Sequence, residues 1–201
     1  MNRQILKQTF CDNYANLKND SHRFTPTKPD TQGDSSSKIQ NDTALSKPLI
    51  TVRLIARDEL PQLLALYQHL NPVDAPLPAN DVLQSIWNKI LDNPHLYYIV
   101  ADIGGELVAT CNLTIVPNLT RGARPYGIIE NVVTHSYYRR QGFATRVLHY
   151  ALDLAWQQQC YKVMLLTSSK SEETLHFYER AGFKRGVKTG FIAQPSEELQ
   201  T

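Results

Sequence analysis

Cysteine is scarce in this chain: Cys11, Cys111 and Cys160 are far apart and form no Cys-x-x-Cys pair. That excludes a disulfide framework and a thiolate metal cluster. Histidines and carboxylates nowhere recur at metal-ligand spacing, so no metal is expected. Long hydrophobic runs are missing too. No stretch approaches the roughly 18 apolar residues of a membrane span, and the N-terminus has no long apolar core for export. No membrane partner is expected, and the cytoplasm is the expected location. Charge of one sign is not in excess. Of 21 Lys/Arg and 19 Asp/Glu, seven and five lie in the first 50 residues, so the remaining 151 residues are formally neutral. Nucleic acid is therefore not an expected partner. There is no internal repeat.

What is present divides in two. Residues 1–48 carry polar runs such as TPTKPDTQGDSSSKIQNDT and no sustained apolar period, which predicts a disordered tail. Residues 49–201 are dense and periodic, long enough to close one core. Strands are expected at ITVRLI (50–55), HLYYIVAD (95–102), ELVATCNLTIV (106–116), residues 128–134 and 162–168, with a last strand near 183–193. Helices are expected over 57–70, 81–91, 142–159 and 172–182. Ile103-Gly104-Gly105 suits a hairpin turn. This order predicts a mixed sheet with helices on its faces. Cys111 and Cys160 fit as small buried residues.

One junction stands out. YRRQGFAT (138–145) lies between the β-rich IIENVVTH and a helix whose Val147, Leu148, Ala151, Leu152, Ala155 and Trp156 form an apolar stripe. A helix start leaves about four N–H groups unpaired and carries roughly half a positive charge. Gly142 removes a side chain at that start, Ala144 keeps the next inward position small, and Arg139 and Arg140 add cations. The octet reads as a cradle for a diphosphate.

The string R139-R140-Q141-G142-F143-A144 matches the acetyl-coenzyme-A motif of the GNAT family of N-acetyltransferases, and HFYERAGF (176–183) resembles its second signature. The resemblance covers about three quarters of the chain. It implies an α/β (α+β) fold with a mixed, mostly antiparallel sheet, splayed between its fourth and fifth strands and flanked by helices on both faces. It also implies acetyl-CoA as co-substrate. The turn (Arg139, Arg140, Gln141, Gly142, Phe143, Ala144 and Thr145) would hold the diphosphate, and Val132 and Val133 would run beside the pantetheine. Tyr178 matches the family's donor to the coenzyme sulfur. Glu130, the carboxylate nearest the expected gap, is the candidate proton acceptor, acting directly or through water. An N–H from residues 131–133 would face the developing oxyanion. His135 is a weaker relay candidate; Ser168, Ser169 and Ser171 lack a His/Asp partnership for nucleophilic work.

IIENVV, TRGARPYG and CYKVMLL further resemble glucosamine-6-phosphate N-acetyltransferases, with Asn131 where an acidic residue is usual. A small-molecule amine, for instance an aminosugar phosphate, is the expected acceptor. Arg121, Arg124 and Asn131 are its candidate contacts. Two alternatives stay open: a protein or peptide N-acetyltransferase, and a non-catalytic acyl-coenzyme-A sensor. A homodimer also stays open.

Overall fold

The structure, a computed structural model, describes residues 50–195. The disorder expected for residues 1–48 lies outside the described residues. Five strands form one sheet in the order β1 (Ile50–Leu54), β2 (Leu96–Ile103), β3 (Glu106–Val116), β4 (Tyr126–Thr134) and β5 (Val163–Leu165). The first three pairings are antiparallel and the last is parallel. The β2–β3 hairpin turns on Gly104 and Gly105, whose φ values of 61° and 95° are those of a primed two-residue turn.

Helices cover both faces. On one lie α1 (Leu60–Tyr67), after a single 3-10 turn at Arg57–Glu59, and α2 (Asn80–Asp92). Leu60, Leu63 and Trp87 pack there against Val100 and Leu107. On the other face lies α3 (Phe143–Gln157), which buries Val147, Leu148, Ala151 and Ala155 completely. Burying each large apolar side chain is worth roughly 1.5–3 kcal/mol, so this stripe is what fixes the start of α3 against the sheet. Cys111 and Cys160 are both buried, and the Cys111 thiol points at the Val147 carbonyl, 3.6 Å away. The last helix, α4 (Glu172–Arg180), follows β5.

Four expectations need correcting. The first helix ends at Tyr67 rather than near residue 70. Trp156, expected on the apolar stripe, is 48% exposed, because that stripe extends past the width of the surface that the helix meets. The strand expected over 162–168 shrinks to three residues. No strand forms near 183–193: Gly186 sits at φ 76°, bending the segment, and no edge among the described residues pairs with it.

Two features of β4 position the site. It pairs with β5 only at Gly127, Ile128 and Ile129, so the fork opens from Glu130 onward. On its other side, Glu130 opposes Asn112 and Val133 opposes Thr110, leaving Asn131 and Val132 across from Cys111 alone. This is a β-bulge, with Asn131 in the left-handed region at φ 53°.

Candidate active site

A cleft of about 560 Å³ occupies the open side of β4. That is within the range of ligand-binding pockets. One end is the start of α3. Gly142 is its N-cap at φ 83°, no side chain caps the helix, and its first turn carries no acidic residue. The unpaired N–H groups of the first turn are thus left for a ligand, and Gly142, Phe143, Ala144 and Thr145 all line the cleft. A Cβ built on Gly142 meets nothing within 4 Å, so the glycine serves backbone conformation and ligand approach rather than crowding within the chain.

The two arginines differ. Arg139 donates to the carbonyls of Thr134 (3.4 Å) and His69 (3.1 Å), tying the end of β4 to the end of α1 across the cleft rim. Arg140, at φ 62°, is largely exposed and sits 3.4 Å from Glu173. Val132 and Val133 line the wall from β4. Gln141 turns away, its amide donating to the Tyr137 carbonyl at 3.2 Å.

Tyr178 lines the cleft from α4, its ring 4.8 Å from Phe177 and 6.4 Å from Phe183. Burial pushes its hydroxyl above the ordinary tyrosine range, and the Cys111 thiol and Glu130 carboxylate push further the same way. The hydroxyl is therefore held in its donating form. Glu130 itself is exposed and lies outside the cleft wall, on the strand just where the fork opens.

The remaining candidates lie elsewhere. Asn131 is exposed at the bulge. Arg124 donates to the carbonyls of Gln159 and Cys160, both at 3.2 Å, and so caps the C-terminal end of α3. Arg121 is exposed in the β3–β4 connection at φ 59°. Neither lines the cleft.

Sequence reasoning missed His69 and Leu70 on one wall and Thr174, Phe177 and Arg180 on the other. The position of Phe177 beside Tyr178 was its only available signal. The His69 and His135 rings meet at a tilt of 59°, their centroids 4.1 Å apart. Desolvation, then His135 and Arg139, lower the His69 pKa. His135 accepts from the Tyr137 N–H at 3.2 Å, which turns it toward the 3-10 turn at Ser136–Tyr138. Among the described residues, no three His, Cys, Asp or Glu side chains are grouped to hold a metal ion, and no helix is long and apolar enough to cross a membrane.

A left-handed glycine opening an uncapped helix, beside a strand fork with a tyrosine on its far wall, defines a class: proteins whose cleft suits a diphosphate at one end and a strand-pairing arm along its open edge. The particular family is shown by comparison. The Acetyltransferase (GNAT) family model matches residues 60–183, and the chain belongs to that family. A putative acetyltransferase from Agrobacterium tumefaciens str. C58 is 43% identical with TM-score 0.68, over 72% of this chain and 99% of that one. The glucosamine 6-phosphate N-acetyltransferase of Trypanosoma brucei brucei is 38% identical over 80 residues, 40% of this chain and 52% of that protein. The Arabidopsis thaliana protein of the same name is 30% identical over 91 residues, 45% and 59% respectively. The chain thus spans a little over half the length of these curated relatives. Acetyl-CoA binding is typical of this fold, and the uncapped helix start, the open strand and the cleft volume fit that molecule.

Proposed function

We propose that the chain transfers an acetyl group from acetyl-CoA to the primary amine of a small molecule, with aminosugar phosphates the leading acceptor class. One observation carries the reading: the start of α3, which no side chain caps, and Tyr178 line the same cleft, along the edge of β4 that β5 leaves open beyond Ile129. Two curated relatives named glucosamine 6-phosphate N-acetyltransferase support the acceptor class.

When bound, acetyl-CoA supplies an activated thioester. The N–H groups at Gly142–Thr145 hold its diphosphate, and Val132 and Val133 offer their peptide edge to its amide-bearing arm. The bulge takes a peptide unit at Asn131–Val132 out of the regular ladder, so that an N–H is available where charge develops. Tyr178 donates a proton toward the leaving sulfur. Glu130, beside the fork and open to solvent, takes the proton that the attacking amine sheds, directly or through water.

The test is thiol release from acetyl-CoA across aminosugar phosphates, aminosugars, polyamines, aminoalkyl acids and short peptides. Preference for the phosphorylated sugars is the expected result. Preference for peptides overturns the small-molecule acceptor. Tight coenzyme binding without turnover of any amine overturns the enzyme in favour of a sensor.

A further inference from the structure

The wall that α4 gives the cleft carries a cation that the chemistry above leaves unused. Glu173, Phe177 and Arg180 recur at i, i+4 and i+7, so they form one stripe along the helix, and all three line the cleft. The neighbouring stripe holds Glu172 and Glu179, and Arg185 pairs with both, at 2.9 Å and 3.0 Å. Glu173 in turn sits 3.4 Å from Arg140. Every carboxylate of α4 thus has an arginine beside it, and none of these arginines is Arg180. The Arg180 guanidinium makes no hydrogen bond or ion pair with any described residue.

The other arginines of the cleft are committed. Arg139 donates to the carbonyls of Thr134 and His69, and Arg140 faces Glu173. Position also sets Arg180 apart from them. Glu173, next to Arg140, marks the end of the stripe that lies by the diphosphate turn. Seven residues at 1.5 Å each carry Arg180 about 10 Å further along the helix axis, past Tyr178. The partial negative charge at the end of α4 favours a cation in its last turn. That preference would be met equally by a side chain turned away from the cleft.

The chemistry of the group says what it suits. A guanidinium is a planar fork of donors that meets a phosphate through two parallel hydrogen bonds. The diphosphate is already served by the start of α3, so the anion for Arg180 is a second one. Both reactants can supply it. Acetyl-CoA carries a phosphate monoester on its ribose 3′ oxygen, and an aminosugar phosphate carries one on the sugar.

We propose that Arg180 binds a phosphate monoester in the cleft, separately from the diphosphate, and so selects for a phosphorylated reactant. The inference rests on the acetyltransferase reading above. Two comparisons test it, in the full chain and in Arg180→Gln. In the first, calorimetric titration measures affinity for coenzyme A and for 3′-dephospho-coenzyme A. In the second, acceptor KM is measured for glucosamine 6-phosphate and for glucosamine. Losing the fork should cost about tenfold toward the phosphorylated member of at least one pair and spare its partner. Loss toward coenzyme A assigns the ribose phosphate as the occupant; loss toward glucosamine 6-phosphate assigns the acceptor's. Arg180→Lys keeps the charge without the fork and should recover only part of the effect. Because Arg180 is exposed and bonded to no described residue, both variants should melt with the parent chain. An equal change toward both members of each pair, or no change, overturns this inference and leaves the acetyltransferase reading standing. A parent chain that binds neither coenzyme and releases no thiol overturns both.

Discussion

Gly142→Glu separates the fold's need for glycine from the ligand's. At φ 83° any other residue pays left-handed strain of about 1–2 kcal/mol. For a domain of this size that lowers the melting temperature by about 2–8 °C. Gly142→Ala carries the same strain, and because nothing lies within 4 Å of the new methyl, no further loss of stability is expected. The two variants should therefore melt alike. Coenzyme binding should part them. A carboxylate about 6 Å from one diphosphate charge, at an effective dielectric near 20, is repelled by about 3 kcal/mol. That is more than a hundredfold in affinity. Calorimetric titration with coenzyme A measures it, with circular dichroism confirming the fold. A folded Gly142→Glu protein that binds as tightly as the parent would refute the diphosphate cradle.

Tyr178→Phe should keep coenzyme affinity and lower kcat on the order of 10²-fold. Because the Tyr178 pKa is raised, the parent's alkaline loss of activity should begin above the ordinary tyrosine value of 10.0, and the phenylalanine variant should lack that limb. Glu130→Gln keeps shape and removes the basic oxygen; kcat should fall at least tenfold in stopped assays while coenzyme affinity holds. Burial holds Cys111 neutral and raises its pKa from an ordinary 9.0, so the folded state keeps a proton that the unfolded state gives up. Stability from this group is therefore full below pH 9 and declines as pH rises beyond it; melting curves should show a shallower decline in Cys111→Ala. Arg140→Ala should change stability by less than about 0.5 kcal/mol in denaturant titrations, since its contact with Glu173 is solvent-exposed.

The junction at 138–145 was legible because its information is local: β-branched residues, a glycine, then a helical stripe. The strands up to β4 were legible for the same reason. The segment at 183–193 was not, because a strand needs a partner and composition does not supply one. Nor was the destination of the guanidinium groups. Arg139 and Arg124 look alike in sequence, yet one laces α1 to β4 and the other caps α3, through carbonyls distant along the chain. The bulge left a faint trace, since asparagine tolerates the left-handed region better than most residues, but Arg121, Ala123, Arg140 and Gln159 adopt it as well. His69 entered the cleft only because α1 stopped at Tyr67.

The three-pair seam between β4 and β5 has a consequence for how the protein opens. Backbone amides in β2 and β3, bonded along eight and eleven residues, should exchange with solvent only on global unfolding. Those of Val163–Leu165 and of α4 hang on far fewer bonds and should exchange through a cheaper, local excursion. The cleft then has one rigid jaw, formed by α3 and β4, and one that breathes. A molecule held by Gly142 at one end and Tyr178 at the other would staple the jaws together. Its clearest signature in hydrogen-exchange mass spectrometry would be slowed exchange in α4, far along the chain from the turn that grips it.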